Sequence, residues 1–101
     1  MEIIKYEQQE VLHVSFRGKF TFAEHEAFRE ILEQLAAPSL RQIVIQVKDV
    51  GFIDSAGMGM LLLARDEAQK HKKQLIIAGA NGQPKKMFDM ANFQNLFALV
   101  P

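Results

Sequence analysis

No cysteine and no tryptophan occur among the 101 residues, and proline and glycine are sparse, at three and six. Without thiols there is no disulfide, no Cys-ligated zinc or iron–sulfur centre and no cysteine nucleophile. That composition fits a reducing compartment. Neither sign of charge is in excess, since 12 Lys and Arg balance 12 Asp and Glu. The balance argues against a general binder of nucleic acid or of acidic membrane, whose phosphate contacts need clustered excess cations. Long apolar stretches are missing too. The run Met58 to Ala64 is seven residues and includes Gly59, against about 20 for a membrane span. Glu2, Lys5 and Glu7 put charge in the first residues, unlike the basic start and apolar core of a signal peptide. The expectation is a soluble cytoplasmic protein.

What is present is an ordinary globular composition, 49% apolar and 24% charged, in one domain over residues 1–101. A chain of this length buries somewhat over ~60% of its unfolded surface and can fold without staples. Residues 2–7 read as a short strand. From Val11 to Arg17 the pattern alternates, with Leu12, Val14 and Phe16 on one face, the mark of a half-buried strand. Gln8-Gln9-Glu10 between them reads as a hairpin turn, and Gly18 breaks the pattern. Thr21-Phe22-Ala23-Glu24 has the form of a capping box. Ala27, Phe28, Ile31, Leu32 and Leu35 follow at helical spacing up to Pro38, an amphipathic helix of about four turns. Arg41 to Val47 is rich in β-branched residues and reads as a buried strand, with Lys48 to Asp54 as a loop.

A second helix is expected from Asp54 or Ser55 to about Lys72. Met58, Leu61, Leu62 and the stem of Arg65 form its inner stripe, and Asp66/Lys70 and Glu67/His71 pair outside at i,i+4. Leu75 to Ala78 is another strand. Asn81-Gly82 is a turn, Pro84 suits the first turn of a third helix to Met90, and Leu96 to Val100 closes the chain as a strand. Strands alternating with helices after an initial hairpin imply an α/β fold, a mixed sheet packed against helices. Its expected core includes Leu12, Val14, Phe16, Ile43, Ile45, Leu62 and Ile76.

The segment that stands out is Gly51-Phe52-Ile53-Asp54-Ser55-Ala56-Gly57-Met58-Gly59-Met60. It sets Asp and Ser at a strand-to-helix junction, followed by two glycines in the first helical turns. Glycine costs about 1 kcal/mol in a helix interior relative to alanine, so something must approach this backbone closely. Capping by Asp or Ser with tight helix–sheet packing is one reading. A nucleophilic serine is another, because Ile53-Asp54-Ser55-Ala56-Gly57 nearly matches a G-x-S-x-G elbow. Its triad is missing: His71 lies sixteen residues further along the same helix, about 24 Å away. No phosphate-cradling glycine motif is complete. His13, His25 and His71 are too dispersed for a metal site. Met58 and Met60, two apart, cannot both face inward on a helix, so one is expected at the surface as an adaptable contact. Phe22 also lies off the inner stripe of the first helix.

Val50-Gly51-Phe52-Ile53-Asp54-Ser55-Ala56-Gly57-Met58-Gly59 resembles the "hydrophobic, Asp-Ser-small-Gly-hydrophobic-Gly" signature of STAS domains, the bacterial anti-sigma factor antagonist family. The resemblance extends to the N-terminal strand pair, Gly18, the strand Ile43 to Val47, and the helix Lys85-Lys86-Met87-Phe88-Asp89-Met90. It implies a STAS fold and a non-enzymatic switch protein without a cofactor of its own. It further implies that Ser55 is phosphorylated by a partner anti-sigma factor, a serine kinase with a histidine-kinase-like ATP fold, and dephosphorylated by a PP2C-type phosphatase. The unphosphorylated form would bind that partner. The partner surface is expected around Ser55 at the starts of the first two helices, from the two glycines and the apolar residues that fit no inner stripe, and comprises Thr21, Phe22, His25, Asp54, Gly57, Met58, Gly59 and Met60. The family often has Gly-x-Leu-Asp where this chain has Gly18-Lys19-Phe20-Thr21, so Thr21 stands at the usual acidic position. The alternative is a structural or ligand-sensing module in which Ser55 is only a helix cap.

Overall fold

A computed structural model describes residues 2–101. Five strands form one mixed sheet in sequence order: β1 (Glu2–Gln8), β2 (Val11–Phe20), β3 (Gln42–Ile53), β4 (Gln74–Ala78) and β5 (Ala98–Val100). The helices are α1 (His25–Gln34), α2 (Ser55–Lys70) and α3 (Gly82–Met90), with short 3-10 turns at Phe22–Glu24 and Phe93–Asn95. β1 and β2 are antiparallel, joined through the expected hairpin, with Gln8 opposite Val11. All later neighbours are parallel. Each parallel crossover advances one strand in the same direction, so right-handed connections put the helices on one face of the sheet.

Period two decides which side chains meet those helices. Leu12, Val14 and Phe16 of β2 and Ile43, Ile45 and Val47 of β3 are buried. Val44 and Gln46 alternate onto the other face and are half-buried. The same alternation corrects one expected core position. Val44 is opposite Ile76, while Ile45 is opposite Ile77, so Ile77 enters the core and Ile76 sits half-buried on the uncovered face. Leu62 is a smaller correction: it packs against the core but is only partly buried.

Both central strands run further than expected. β2 continues past Gly18, which sits at φ 106° between register shifts near Ser15/Arg17 and Gly18/Lys19. A glycine takes that left-handed backbone without steric cost, so β2 continues through it instead of ending. Residues Lys48 to Ile53, expected as a loop, are the second half of β3 and pair with β2 up to Phe20 opposite Ile53. Their apolar spacing is irregular because β3 carries an extra residue at each register shift, between Gln46 and Asp49 and between Val50 and Phe52, and only Val50 and Ile53 stay inward. At the end of β2, Phe20 is fully buried and meets Phe16 and Phe28 edge-on at ring separations of 4.9 and 5.4 Å. Edge-on aromatic pairs contribute about 0.5–1.5 kcal/mol beyond their burial. This cluster fixes the end of β2 beneath α1.

The remaining elements fall within a few residues of their expected ends. The first helix opens as a 3-10 turn and becomes α-helical only at His25. Glu67 faces His71 at 3.5 Å, as its spacing predicts, whereas Asp66 faces Arg65 at 3.9 Å instead of pairing with Lys70. Pro84 lies in the first turn of α3 and is buried. Among the described residues no helix is long and apolar enough to cross a membrane.

Candidate functional site

β2 and β3 are parallel neighbours that end together, so the segments leaving them emerge side by side at the C-terminal edge of the sheet. Thr21 follows one strand and Asp54 the other. Both have extended backbones, with ψ at −179°, and both cap the helical segment that follows. The Thr21 hydroxyl accepts from the Ala23 amide at 3.3 Å. The Asp54 carboxylate accepts from the Gly57 amide at 2.7 Å, satisfying one of the orphan donors at the start of α2. The Asp54 amide donates to the Phe20 carbonyl at 3.3 Å, tying this corner to the end of β2.

Ser55 is the first residue of α2 and is exposed. Among the described residues none exchanges a hydrogen bond with its hydroxyl, because the capping role belongs to Asp54. Nor does a histidine approach it as a base. His25 stacks on Phe22 at 4.4 Å and its Nδ1 donates to the Phe22 carbonyl at 2.9 Å. His13 stacks on Tyr6, and His71 pairs with Glu67. Among the described residues no cluster of His, Asp or Glu could hold a metal ion.

The two glycines of α2 sit in opposite surroundings. A Cβ on Gly57 would lie 2.4 Å from the Phe20 carbonyl oxygen and 2.7 Å from an Ile53 side-chain carbon. Only a bare backbone lets α2 pack this closely on the strand ends. A Cβ on Gly59 would meet nothing within 4 Å. Gly59 instead opens onto a groove of about 450 Å³ between α1 and α2, walled by Phe22, His25, Phe28, Leu32, Met60 and Leu63. Phe22 is 62% exposed and Leu63 is 56% exposed.

The structure thus brings Thr21, Phe22, His25, Asp54, Ser55 and Gly59 to one edge. It corrects the expectation for the methionines, because Met58 and Met60 are both 7% exposed. Met58 belongs to the buried core and Met60 lines the α1–α2 groove, so the two methionines are buried on different sides of the helix. Gly57 and Met58, expected in the partner surface, are buried, and Met60 lines the groove. Sequence reasoning missed Leu63, whose position off the Leu61/Ala64/Ala68 stripe was a readable signal. It also missed Gln83. The Gln83 side chain accepts from the Ile53 amide at 2.8 Å and donates to the Ile53 carbonyl at 2.9 Å, a contact spanning 30 residues with no sequence signature.

Comparison with known proteins bears on this geometry. The family model described as STAS domain matches residues 2–101. A STAS-domain containing protein of Pseudomonas aeruginosa (strain UCBPP-PA14) is 32% identical over 88 residues, which cover 87% of this chain and 86% of that protein. Among solved structures, a candidate anti-sigma factor antagonist from Thermotoga maritima superposes with a TM-score of 0.89 at 12% identity, covering 98% of this chain and 86% of that one. The Bacillus cell fate determinant SpoIIAA in its phosphorylated form superposes with a TM-score of 0.78 at 15% identity, covering 99% of this chain and 92% of that one. The anti-sigma factor antagonist SpoIIAA in its unphosphorylated form gives a TM-score of 0.77.

Proposed function

This chain belongs to the STAS domain family, and on that premise we propose that it is an anti-sigma factor antagonist switched by phosphorylation of Ser55. Unmodified, it binds an anti-sigma factor that is also its serine kinase. Phosphorylated, it is released, and a PP2C-type phosphatase resets it. The nucleotide belongs to the partner.

One observation carries this reading: Ser55 is exposed at the first position of α2 with an unengaged hydroxyl, while Asp54 beside it does the capping. A serine that held the helix start could not be modified without cost to the fold. This one can. Helix N-terminal amides and the dipole favour an anion there by about 0.3–1 kcal/mol, and the Asp54 carboxylate offsets part of that. Thr21 adds no charge of its own and its hydroxyl is already turned to Ala23. Against the reading of Ser55 as only a cap stands the cap bond to Gly57, which Asp54 makes.

The partner surface comprises Thr21, Phe22, His25, Asp54, Gly59 and Met60 around Ser55, with Leu63 added at the far wall of the groove. Exposed Phe22 and Leu63 supply apolar anchors, and bare Gly59 leaves space for a partner side chain. A phosphate at the edge of such a contact carries about −1.5 to −2 charges. It must either lose water or hold the surfaces apart, and unpaired buried charge costs several kcal/mol.

The direct test is incubation with the serine kinase of histidine-kinase-like ATP fold from the same organism, followed by mass spectrometry of the tryptic peptide Asp49–Arg65. A single phosphate on Ser55, absent from Ser55→Ala, is the expected result. Phosphate on another residue, or none with an active kinase, contradicts the proposal.

A further inference from the structure

β3 outruns one of its neighbours. Its ladder with β4 ends at Gln46 opposite Ala78, while its ladder with β2 continues to Ile53. On the β4 side the backbone from Lys48 onward has no strand beside it. The segment entering α3 stands in for one. The Asn81 side chain donates to the Lys48 carbonyl and to the Gly79 carbonyl, each at 3.0 Å. Further up, the Gln83 amide group makes both bonds a neighbouring strand would make to Ile53, one to its N–H and one to its C=O. Buried Pro84 follows directly and anchors this first turn.

The Ile53 backbone that Gln83 holds lies one residue before the cap Asp54 and two before Ser55. We propose that Gln83 is a positioning residue for Ser55, and that α3 is through it coupled to the Asp54–Ser55 corner. This rests on the reading of Ser55 as the modified, partner-facing residue. Ile53 is gripped from two sides. Phe20 is opposite it on β2, and Gln83 faces it from α3. Releasing the second grip frees the corner to pivot about the first and loosens the Asp54–Gly57 cap. Coupling of this kind is reciprocal. A ligand that shifts α3, whose outer end presents the 80% exposed Met90, changes the presentation of Ser55, and a charge at Ser55 changes the seating of Gln83.

The experiment uses the full ¹⁵N-labelled chain and three variants. Gln83→Met keeps length and volume and deletes both bonds. Gln83→Glu keeps an acceptor for the Ile53 N–H but sets a carboxylate against the Ile53 carbonyl until it is protonated. Ser55→Asp places a charge at the switch. For Gln83→Met, amide exchange at Ile53 and Gly57 should speed up by about tenfold relative to Val14 and Ile45, as expected for losing two part-buried hydrogen bonds. The Asp54, Ser55 and Gly57 resonances should shift. In Gln83→Glu those resonances should move toward wild-type positions as the pH is lowered through the carboxylate range, against the wild-type chain titrated in parallel. Ser55→Asp should shift the Gln83 side-chain amide signals.

Faster exchange at Ile53 alone, with Asp54, Ser55 and Gly57 unmoved, would overturn the proposal and leave Gln83 as a seal on a strand end. So would a uniform rise across all amides, which reports global destabilisation. No kinase enters this experiment. Failure of Ser55 phosphorylation would therefore remove the switch while leaving the clamp measurable, and failure of the clamp would leave the switch standing.

Discussion

Gly57 and Gly59 lie two positions apart on one helix, yet they belong to different problems. Gly57 faces the sheet, where the Phe20 carbonyl leaves no room for a methyl group. Gly59 faces the α1–α2 groove, where a methyl group would touch nothing. Glycine costs the helix about 1 kcal/mol at either place. At Gly57 close packing offsets that cost within the fold. At Gly59 no contact within the fold offsets it, and that is the motive for proposing a partner in the groove. The same division runs through the rest of the corner: Asp54 holds the helix, and Ser55 is left free.

The sharpest way to break this contrast is to make one substitution at both sites. Gly57→Ala should lose about 2–3 kcal/mol, because the new Cβ overlaps a backbone oxygen that cannot move without the end of β2. Gly59→Ala should gain up to about 1 kcal/mol from helix propensity alone. Chemical denaturation of the two variants measures both, and effects of the same sign would end the distinction. Binding then sharpens it. Gly59→Leu should fold normally and weaken the anti-sigma partner by about tenfold or more, or ~1.4 kcal/mol, by filling the groove. An unchanged affinity moves the partner surface elsewhere.

Asp54 and Ser55 extend the contrast with smaller effects. Asp54→Ala should cost about 1 kcal/mol of stability through loss of the cap on Gly57, with Asp54→Asn recovering most of it, as read by thermal melts. Ser55→Ala should change stability by no more than about 0.5 kcal/mol, since no bond of the fold is lost. A loss as large as that of Asp54→Ala would return Ser55 to a capping role.

Much of this was legible from residue patterns. Alternation placed Leu12, Val14 and Phe16 on the buried face, and β-branched density marked β3. Helical spacing found Phe28 and Ile31, and the Asp54-Ser55 pair with its glycines marked the corner. What escaped was set by partners distant in sequence. The second half of β3 does not alternate cleanly, because β3 takes one residue more than β2 at each of two register shifts, and only the pairing with β2 shows where they fall. Ile76 and Ile77 are equivalent by propensity, and only pairing with β3 decides between them. Met58 and Met60 cannot share one inner face, but α2 has two, and the second exists only because α1 lies beside it. Gln83 acts on a backbone 30 residues away, and a side-chain amide binding main chain leaves no pattern to read.

In the proposed switch, charge on Ser55, and not a change in fold, decides whether the partner binds. Its most direct measurement is a calorimetric titration of the anti-sigma partner against the unmodified and the Ser55-phosphorylated chain, with melting curves of both. A loss of affinity of about a hundredfold or more is expected on phosphorylation, equivalent to ~2.7 kcal/mol, with melting temperatures that stay together. Equal affinities for the two forms would contradict it, and so would a phosphorylated chain that fails to bind because it has unfolded.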